Sequence, residues 1–196
     1  MKILALGDFH GKIPFFIKKV IKKQKPDLII SVGDFCAFYE RKLFFKHSYI
    51  SKEPLEKFIG KRKAREFAKK DINSGLKIIN YLKKFKIPVI AISGNTDPAK
   101  YDDIYVKKYA KTHESDTYDK YYKKNLVENT EKFKIIDFQA VKFKDFIFIG
   151  SHKSSYPGYL PRPKWKKHKK PHSKYKKKLE KLFKKHKNQK NYLFIS

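Results

Sequence analysis

Cysteine is nearly absent: Cys36 is the only one in 196 residues. That excludes an intrachain disulfide and a thiolate metal cluster, and leaves a small buried hydrophobe as the natural reading of the residue. Long apolar runs are missing as well. No stretch approaches the roughly 20 residues that span a bilayer, and Asp8 interrupts the amino-terminal "ILALG" too early for a signal peptide. A cytoplasmic protein is the expectation. Acidic residues are few, 19 against 49 Lys plus Arg, for a net charge of +30. Arginine is scarce in turn, with only Arg41, Arg62, Arg65 and Arg162 among those basic residues. Lysine is a mobile point charge, whereas phosphate and base-edge clamps favour the planar guanidinium. The excess therefore reads first as a bulk field, with recruitment of a polyanion left open.

The chain is nonetheless 40% hydrophobic and 16% aromatic, which argues a packed core despite 35% charged residues. Its length suits one domain over 1–196. "MKILALG" and "DLIISVGD" (27–34) are continuous apolar runs, as buried parallel strands are. Between them Pro14 suits a first helical turn, Phe16, Ile17, Val20 and Ile21 mark a helix face, and Pro26 ends the helix. Strand, helix and strand in so short a span make a parallel βαβ unit. Residues 36–53 are aromatic without clear period. A helix is expected from about Pro54 to Phe85, carried by Ile72, Leu76, Ile79 and Leu82, with Gly60 and Gly75 as candidate breaks. "IPVIAISGNTD" (87–97) is a third buried strand running into a polar turn. Segments near 36–70 and 98–130 look like insertions. "FKIIDFQAVKFKDFIFIG" (133–150) reads as two antiparallel strands joined near Lys142–Asp145. A proline-rich loop over 151–173 precedes an amphipathic helix marked by Tyr175, Leu179, Leu182 and Phe183, and "NYLFIS" is a last strand.

Three apolar strands thus end in similar polar turns, "GDFHG" (7–11), "GDFC" (33–36) and "GNTD" (94–97). Ligand sites of open α/β sheets lie beyond the carboxyl ends of the strands, so Asp8, His10, Asp34 and Asn95 are expected at one edge. Alternate side chains of an extended chain share a side, which would pair Asp8 with His10. Carboxylate, imidazole and amide oxygen suit hard or borderline divalent cations. One such turn alone means little, since a strand-end Asp commonly caps the next helix. Three in this order are much harder to obtain by accident.

Asp8 and His10, then Gly33–Asp34, then Gly94–Asn95–Thr96–Asp97 resemble, block by block, the D-x-H, G-D and G-N-x-D signature of the calcineurin-like metallophosphoesterase superfamily. The resemblance extends over nearly the whole chain, including the later "IGSHKSSYPGYLPRP" (149–163). It implies an α/β fold with a layered β-sheet core flanked by helices. It also implies two divalent cations, Mn²⁺ foremost with Fe, Zn, Mg and Ni as alternatives, and hydrolysis of a phosphomonoester or phosphodiester by an activated water. By the same resemblance Asp34 bridges the two ions, Asp8 and His10 hold one, and Asn95 holds the other and is a catalytic candidate.

Two departures set further expectations. Thr96 stands where many members carry a histidine that acts as general acid, and a threonine is a poor proton donor at neutral pH; Asp97 then either serves the catalytic site or caps the next segment. The family's three later histidines have no counterpart here. The chain is therefore expected to be the amino-terminal portion of a longer protein, with its carboxyl-terminal part incomplete and with weak activity at most on its own. His152 is a candidate phosphate contact, while His168 and His172 read as loop or surface residues and His47, His113 and His186 as solvated. A catalytically impaired basic module that binds nucleic acid or protein is the alternative, and a nuclease a narrower form of the enzyme. Thirteen lysines over 164–187, interleaved with Trp165 and Tyr175, are the candidate nucleic-acid contact.

Overall fold

A computed structural model of the chain describes residues 1–49, 51, 55–94, 96–97, 130–151 and 169–195, with residues 48, 49 and 169–175 described by their backbone alone. Strands β1 (Ile3–Leu6), β2 (Leu28–Ser31), β3 (Val89–Ala91) and β4 (Phe133–Ile135) lie side by side in that order, every neighbouring pair parallel. Both faces of this sheet are buried, which is why its strands are apolar at successive positions rather than alternate ones. Leu4, Leu6, Ile29, Val89, Ala91, Phe133 and Ile135 pack on one side with Ile17 and Ile21 of helix α1 (Ile17–Gln24) and with Ile78, Ile79 and Leu82 of a longer helix. Ile3, Leu28, Ile30, Ile90 and Ile92 face the other way, onto Phe148, Val141 and Ile195 of a second sheet. That sheet holds β5 (Ala140–Phe143), β6 (Phe146–Gly150) and β7 (Tyr192–Ile195), with β5–β6 antiparallel and β6–β7 parallel. Outside it, Phe183 of an amphipathic helix meets Tyr192 and Phe194 at ring distances of 5.9 and 5.7 Å. Helix, sheet, sheet and helix are thus stacked in layers, the α/β architecture expected. Each large side chain buried in these layers contributes about 1.5–3 kcal/mol of hydrophobic transfer energy.

Local details correct the reading of the sequence. The long helical stretch is α3 (Leu55–Ile59) and α4 (Lys61–Lys83), divided at Gly60, whose φ of +80° only glycine adopts without strain. Gly75 does not interrupt α4; it is buried on the inner face beside Ser74 and Ile72. The segment without clear period contains the short α2 (Arg41–Leu43) and a π-helical stretch, Phe44–Tyr49. Its wider winding hides the 3.6-residue repeat that betrays an α-helix. Phe16 caps α1 and is half exposed, so Ile17 and Ile21 make the buried face. Residues 133–150 hold three strands, not two: β4 joins the parallel sheet, and only β5 and β6 form the hairpin. The last helix, α5 (Lys169–His186), starts inside the expected loop, with Pro171 in its first turn where a missing N–H costs no helical bond.

Cys36 is fully buried, and burial, reinforced by the nearby Asp97 and Asp71 carboxyls, pushes its thiol far above the ordinary cysteine range. The thiolate is the nucleophile, so the native protein should resist iodoacetamide and become labelled only as it unfolds in urea. Stoichiometric labelling of the folded protein, read by mass spectrometry, would contradict this environment.

Candidate metal centre

The register of the parallel sheet sets Leu6, Ser31, Ala91 and Ile135 in one row across the four strands. All four chains leave the sheet at the same edge, and within three residues of that row come Asp8, Asp34, Gly94 and Asp137.

Asp8, His10 and Asp34 converge there, with one ligand atom of each lying within 4.8 Å of the others. His10 Nε2 is 3.8 Å from Asp8 Oδ1 and 4.0 Å from Asp34 Oδ2. These gaps are too long for hydrogen bonds. They match the roughly 3–4 Å between two ligands of one ion bound at about 2.1 Å. Exposure is graded: 82% for the Asp8 side chain, 45% for His10 and 12% for Asp34. The donor chemistry, two carboxylates and an imidazole open to solvent on one side, fits a divalent cation.

Pleat alternation is not what brings Asp8 and His10 together. β1 ends at Leu6, and Asp8, His10 and Asp34 all take left-handed backbone, with φ of 54°, 44° and 55°. Asp and His tolerate this region better than most residues, yet each such residue costs on the order of 1 kcal/mol that the surroundings must offset. The surroundings are backbone hydrogen bonds between the two turns: His10 N–H donates to the Asp34 carbonyl at 2.7 Å and Gly11 N–H to the Phe35 carbonyl at 2.9 Å.

The third turn is pressed against the second. Gly33, at φ +83°, leaves no room for a Cβ against Gly94 N, and a Cβ at Gly94 would overlap Asp34 Oδ1. Thr96 donates its backbone N–H to Asp34 Oδ1 at 2.8 Å. Its hydroxyl lies 3.0 Å from both Asp34 Oδ1 and the Cys36 carbonyl oxygen, and its one proton can serve either. Asp34 Oδ1 is thereby committed to Thr96, and Oδ2 is turned to His10. Asp97 is buried and ties the turns together, accepting from Cys36 N–H and Gly94 N–H, both at 2.9 Å. Burial raises its carboxyl pKa despite these bonds.

Two residues of this edge have no counterpart among the sequence candidates. Thr96 entered only as a replacement for histidine, and its grip on Asp34 spans 62 positions. Asp137, buried beyond β4, accepts from Ser93 N–H at 2.8 Å and Ser93 Oγ–H at 2.7 Å and braces the third turn. A fourth strand ending in an acid was the available signal, hidden because β4 read as half of a hairpin. Asn95, His113, His152, Trp165 and His168 lie outside the described residues, as does all but the last residue of the 98–130 segment, and of His172 and Tyr175 only the backbone is described. His47, expected in solvent, stacks on Phe58 at 5.1 Å. Among the described residues no helix is long and apolar enough to cross a membrane.

Against known proteins, the sequence model of a family described as calcineurin-like phosphoesterase matches residues 1–195. No curated protein matches the chain. One solved crystal structure shares 16% identity over 76% of this chain and 52% of its own, at a TM-score of 0.49. The chain spans about half the length of that protein.

Proposed function

We propose, since the chain belongs to the calcineurin-like phosphoesterase family, that it carries a divalent-metal site for phosphoester hydrolysis. The observation that carries this reading is the Asp8–His10–Asp34 cluster at the sheet edge, one ligand atom of each within 4.8 Å of the others. Asp8, His10 and Asp34 would hold one cation, and Asn95 is the candidate ligand of a second that shares Asp34. When bound, such cations polarise the phosphoryl oxygens and lower the pKa of a water.

The chain's own residues do the positioning. Thr96 and the left-handed turn at Asp34 turn Oδ2 towards His10, the oxygen that would meet an ion held there. Asp97, committed to two backbone amides, holds the second and third turns in register, a positioning role. The exposed side of Asp8 and His10 is where the ester would enter. In the reaction a water oxygen bonds to phosphorus and gives up its proton to solvent as the ester P–O bond breaks; an alkoxide leaving oxygen needs a proton in that step, whereas an aryl oxide can depart as the anion. Thr96 stands where a proton-donating histidine would otherwise be, so esters whose leaving group needs no protonation, such as aryl phosphates, are the favoured substrates. A binding module with impaired turnover is the competing reading, and it rests on that same threonine.

Calorimetric titration with Mn²⁺, paired with hydrolysis of an aryl phosphomonoester and an aryl phosphodiester, tests the proposal. Binding that EDTA reverses is expected, with slow, Mn²⁺-dependent turnover. Failure to bind Mn²⁺, Zn²⁺ or Ni²⁺, or hydrolysis undiminished by EDTA, would sink it. Mn²⁺ binding with no turnover of either ester would favour the module.

A further inference from the structure

Helix α1 buries Ile17 and Ile21 and presents lysine on its opposite face. Phe15, Lys18, Lys19, Lys22 and Lys23, at helical spacing, line one shallow surface groove. Phe15 is 95% exposed, the most exposed of the large apolar side chains described, and touches Phe16 edge-on at 5.5 Å. A ring so exposed contributes nothing to the core. Lys18–Lys19 and Lys22–Lys23 are exposed pairs four residues apart, about 6 Å along the helix axis. No acidic residue occurs in α1. The nearest in sequence, Asp27, is occupied by Lys144 Nζ at 2.8 Å and by Lys2 N–H at 2.6 Å. The groove also has a direction. α1 follows β1, so its amino-terminal end, with Phe15 five residues beyond His10, lies at the edge that carries the metal centre, and the lysines lead away from it.

We infer that this face of α1 is a docking surface for single-stranded nucleic acid, which lays its phosphates along the lysine pairs, stacks a base on Phe15 and brings a phosphodiester to the metal edge. The inference rests on the phosphoesterase reading only for that last step. An unpaired base offers a π-face to an exposed ring whatever its identity, and lysine point charges neutralise phosphates without reading sequence. A duplex hides its base faces and would leave Phe15 unused. A membrane-surface helix must turn its apolar face to the lipid, and that of α1 is already spent on the sheet.

The test is fluorescence anisotropy with a labelled oligothymidylate in EDTA, so that binding is read without turnover. Phe15→Ala is expected to weaken binding about tenfold. Replacing Lys18, Lys19, Lys22 and Lys23 together by Gln should lower the slope of log affinity against log salt by about 0.7 for each phosphate no longer neutralised. The same change at Lys177, Lys181, Lys184 and Lys185 of α5, equal in charge, should alter affinity far less. All these variants should hydrolyse a small aryl phosphodiester at the rate of the parent protein. Failure of the phosphoesterase reading would appear in that last assay alone, and failure of the docking surface in the anisotropy. Equal weakening by the two lysine sets, or no effect of Phe15→Ala, would overturn the inference. Displacement of the oligonucleotide by phosphatidylserine vesicles would give the surface to a membrane instead.

Discussion

Asp34→Asn should abolish Mn²⁺ binding while leaving the fold at least as stable as before. Asparagine is nearly isosteric and accepts left-handed backbone as readily as aspartate, so φ of 55° at this position is no obstacle. The side-chain oxygen of the amide can keep accepting from Thr96 N–H and Oγ–H, as Asp34 Oδ1 does at 2.8 and 3.0 Å. That choice turns the NH₂ group to the place of Oδ2, facing His10 and Asp8, where a donor cannot bind a cation. Losing an outer partner of a metal ligand typically costs about 10–100-fold in affinity or activity, and removing the most buried ligand of the cluster should cost more. Stability should not suffer, because burial chiefly, and the neighbouring Asp34 charge to a lesser degree, disfavour ionisation of the Asp97 carboxyl, and the substitution removes that charge. Calorimetric Mn²⁺ titration and thermal melting, run on the same preparation, separate the two effects. Near-parental Mn²⁺ affinity in Asp34→Asn would mean that Asp34 is not a ligand, and a collapsed melt would mean that it is structural. Thr96→Val provides the graded comparison, since it keeps the backbone N–H bond and removes the hydroxyl. A fall within the outer-partner range is expected, with Thr96→Ser restoring the affinity.

The second large effect concerns pH and lies away from the metal edge. Asp71 is fully buried and the half-buried Glu40 lies against it; burial, with the Asp71 carboxyl beside it, pushes Glu40 up to about 8, and burial raises Asp71 as well. Asp71 Oδ1 accepts from Tyr39 N–H at 2.9 Å, while Glu40 Oε2 is buried with no hydrogen-bond partner among the described residues. The folded protein therefore holds a proton in this pair that the unfolded chain releases above the ordinary carboxylate range. Stability consequently falls as pH rises, from just above pH 4.5, the ordinary value for Glu, to about 8. Asp97, raised by burial, contributes with the same sign. Asp27 opposes it but lies outside this window. Its bonds to Lys144 and Lys2 hold its carboxyl at about 2, so its contribution is lost only on acidification. Urea midpoints should decline between pH 5 and pH 8, as the unfolding free energy falls by a total on the order of a few kcal/mol. Glu40→Gln keeps a donor towards Asp71 without the titrating proton and should make the decline shallower. A parental slope in Glu40→Gln would show that the pair is not its origin.

These two effects differ in how far they were visible in the sequence. Apolar runs ending in Gly-Asp or Gly-Asn, divided by helical segments, already determine parallel strands and a common carboxyl edge, because strand direction and crossover handedness follow from local pattern. Asp8, His10 and Asp34 were legible as a cluster for that reason. How they meet was not. The left-handed turns at all three are held by hydrogen bonds from a neighbouring strand's turn, and without those partners the backbone would not sit there. The Thr96 grip on Asp34, the Ser93–Asp137 brace and the Glu40–Asp71 pair join positions 62, 44 and about 30 apart. Period and propensity report only on neighbours within a turn or a pleat, so pairings of that separation leave no local trace. β4 shows the same limit. "FKI" has the same alternation in a hairpin as in a parallel sheet, and only the space beside β3, together with the pull of Asp137 on Ser93, decides between them. Local pattern determined which residues reach the edge; long-range packing decided which oxygen of Asp34 is turned to His10 and where the fold keeps its proton.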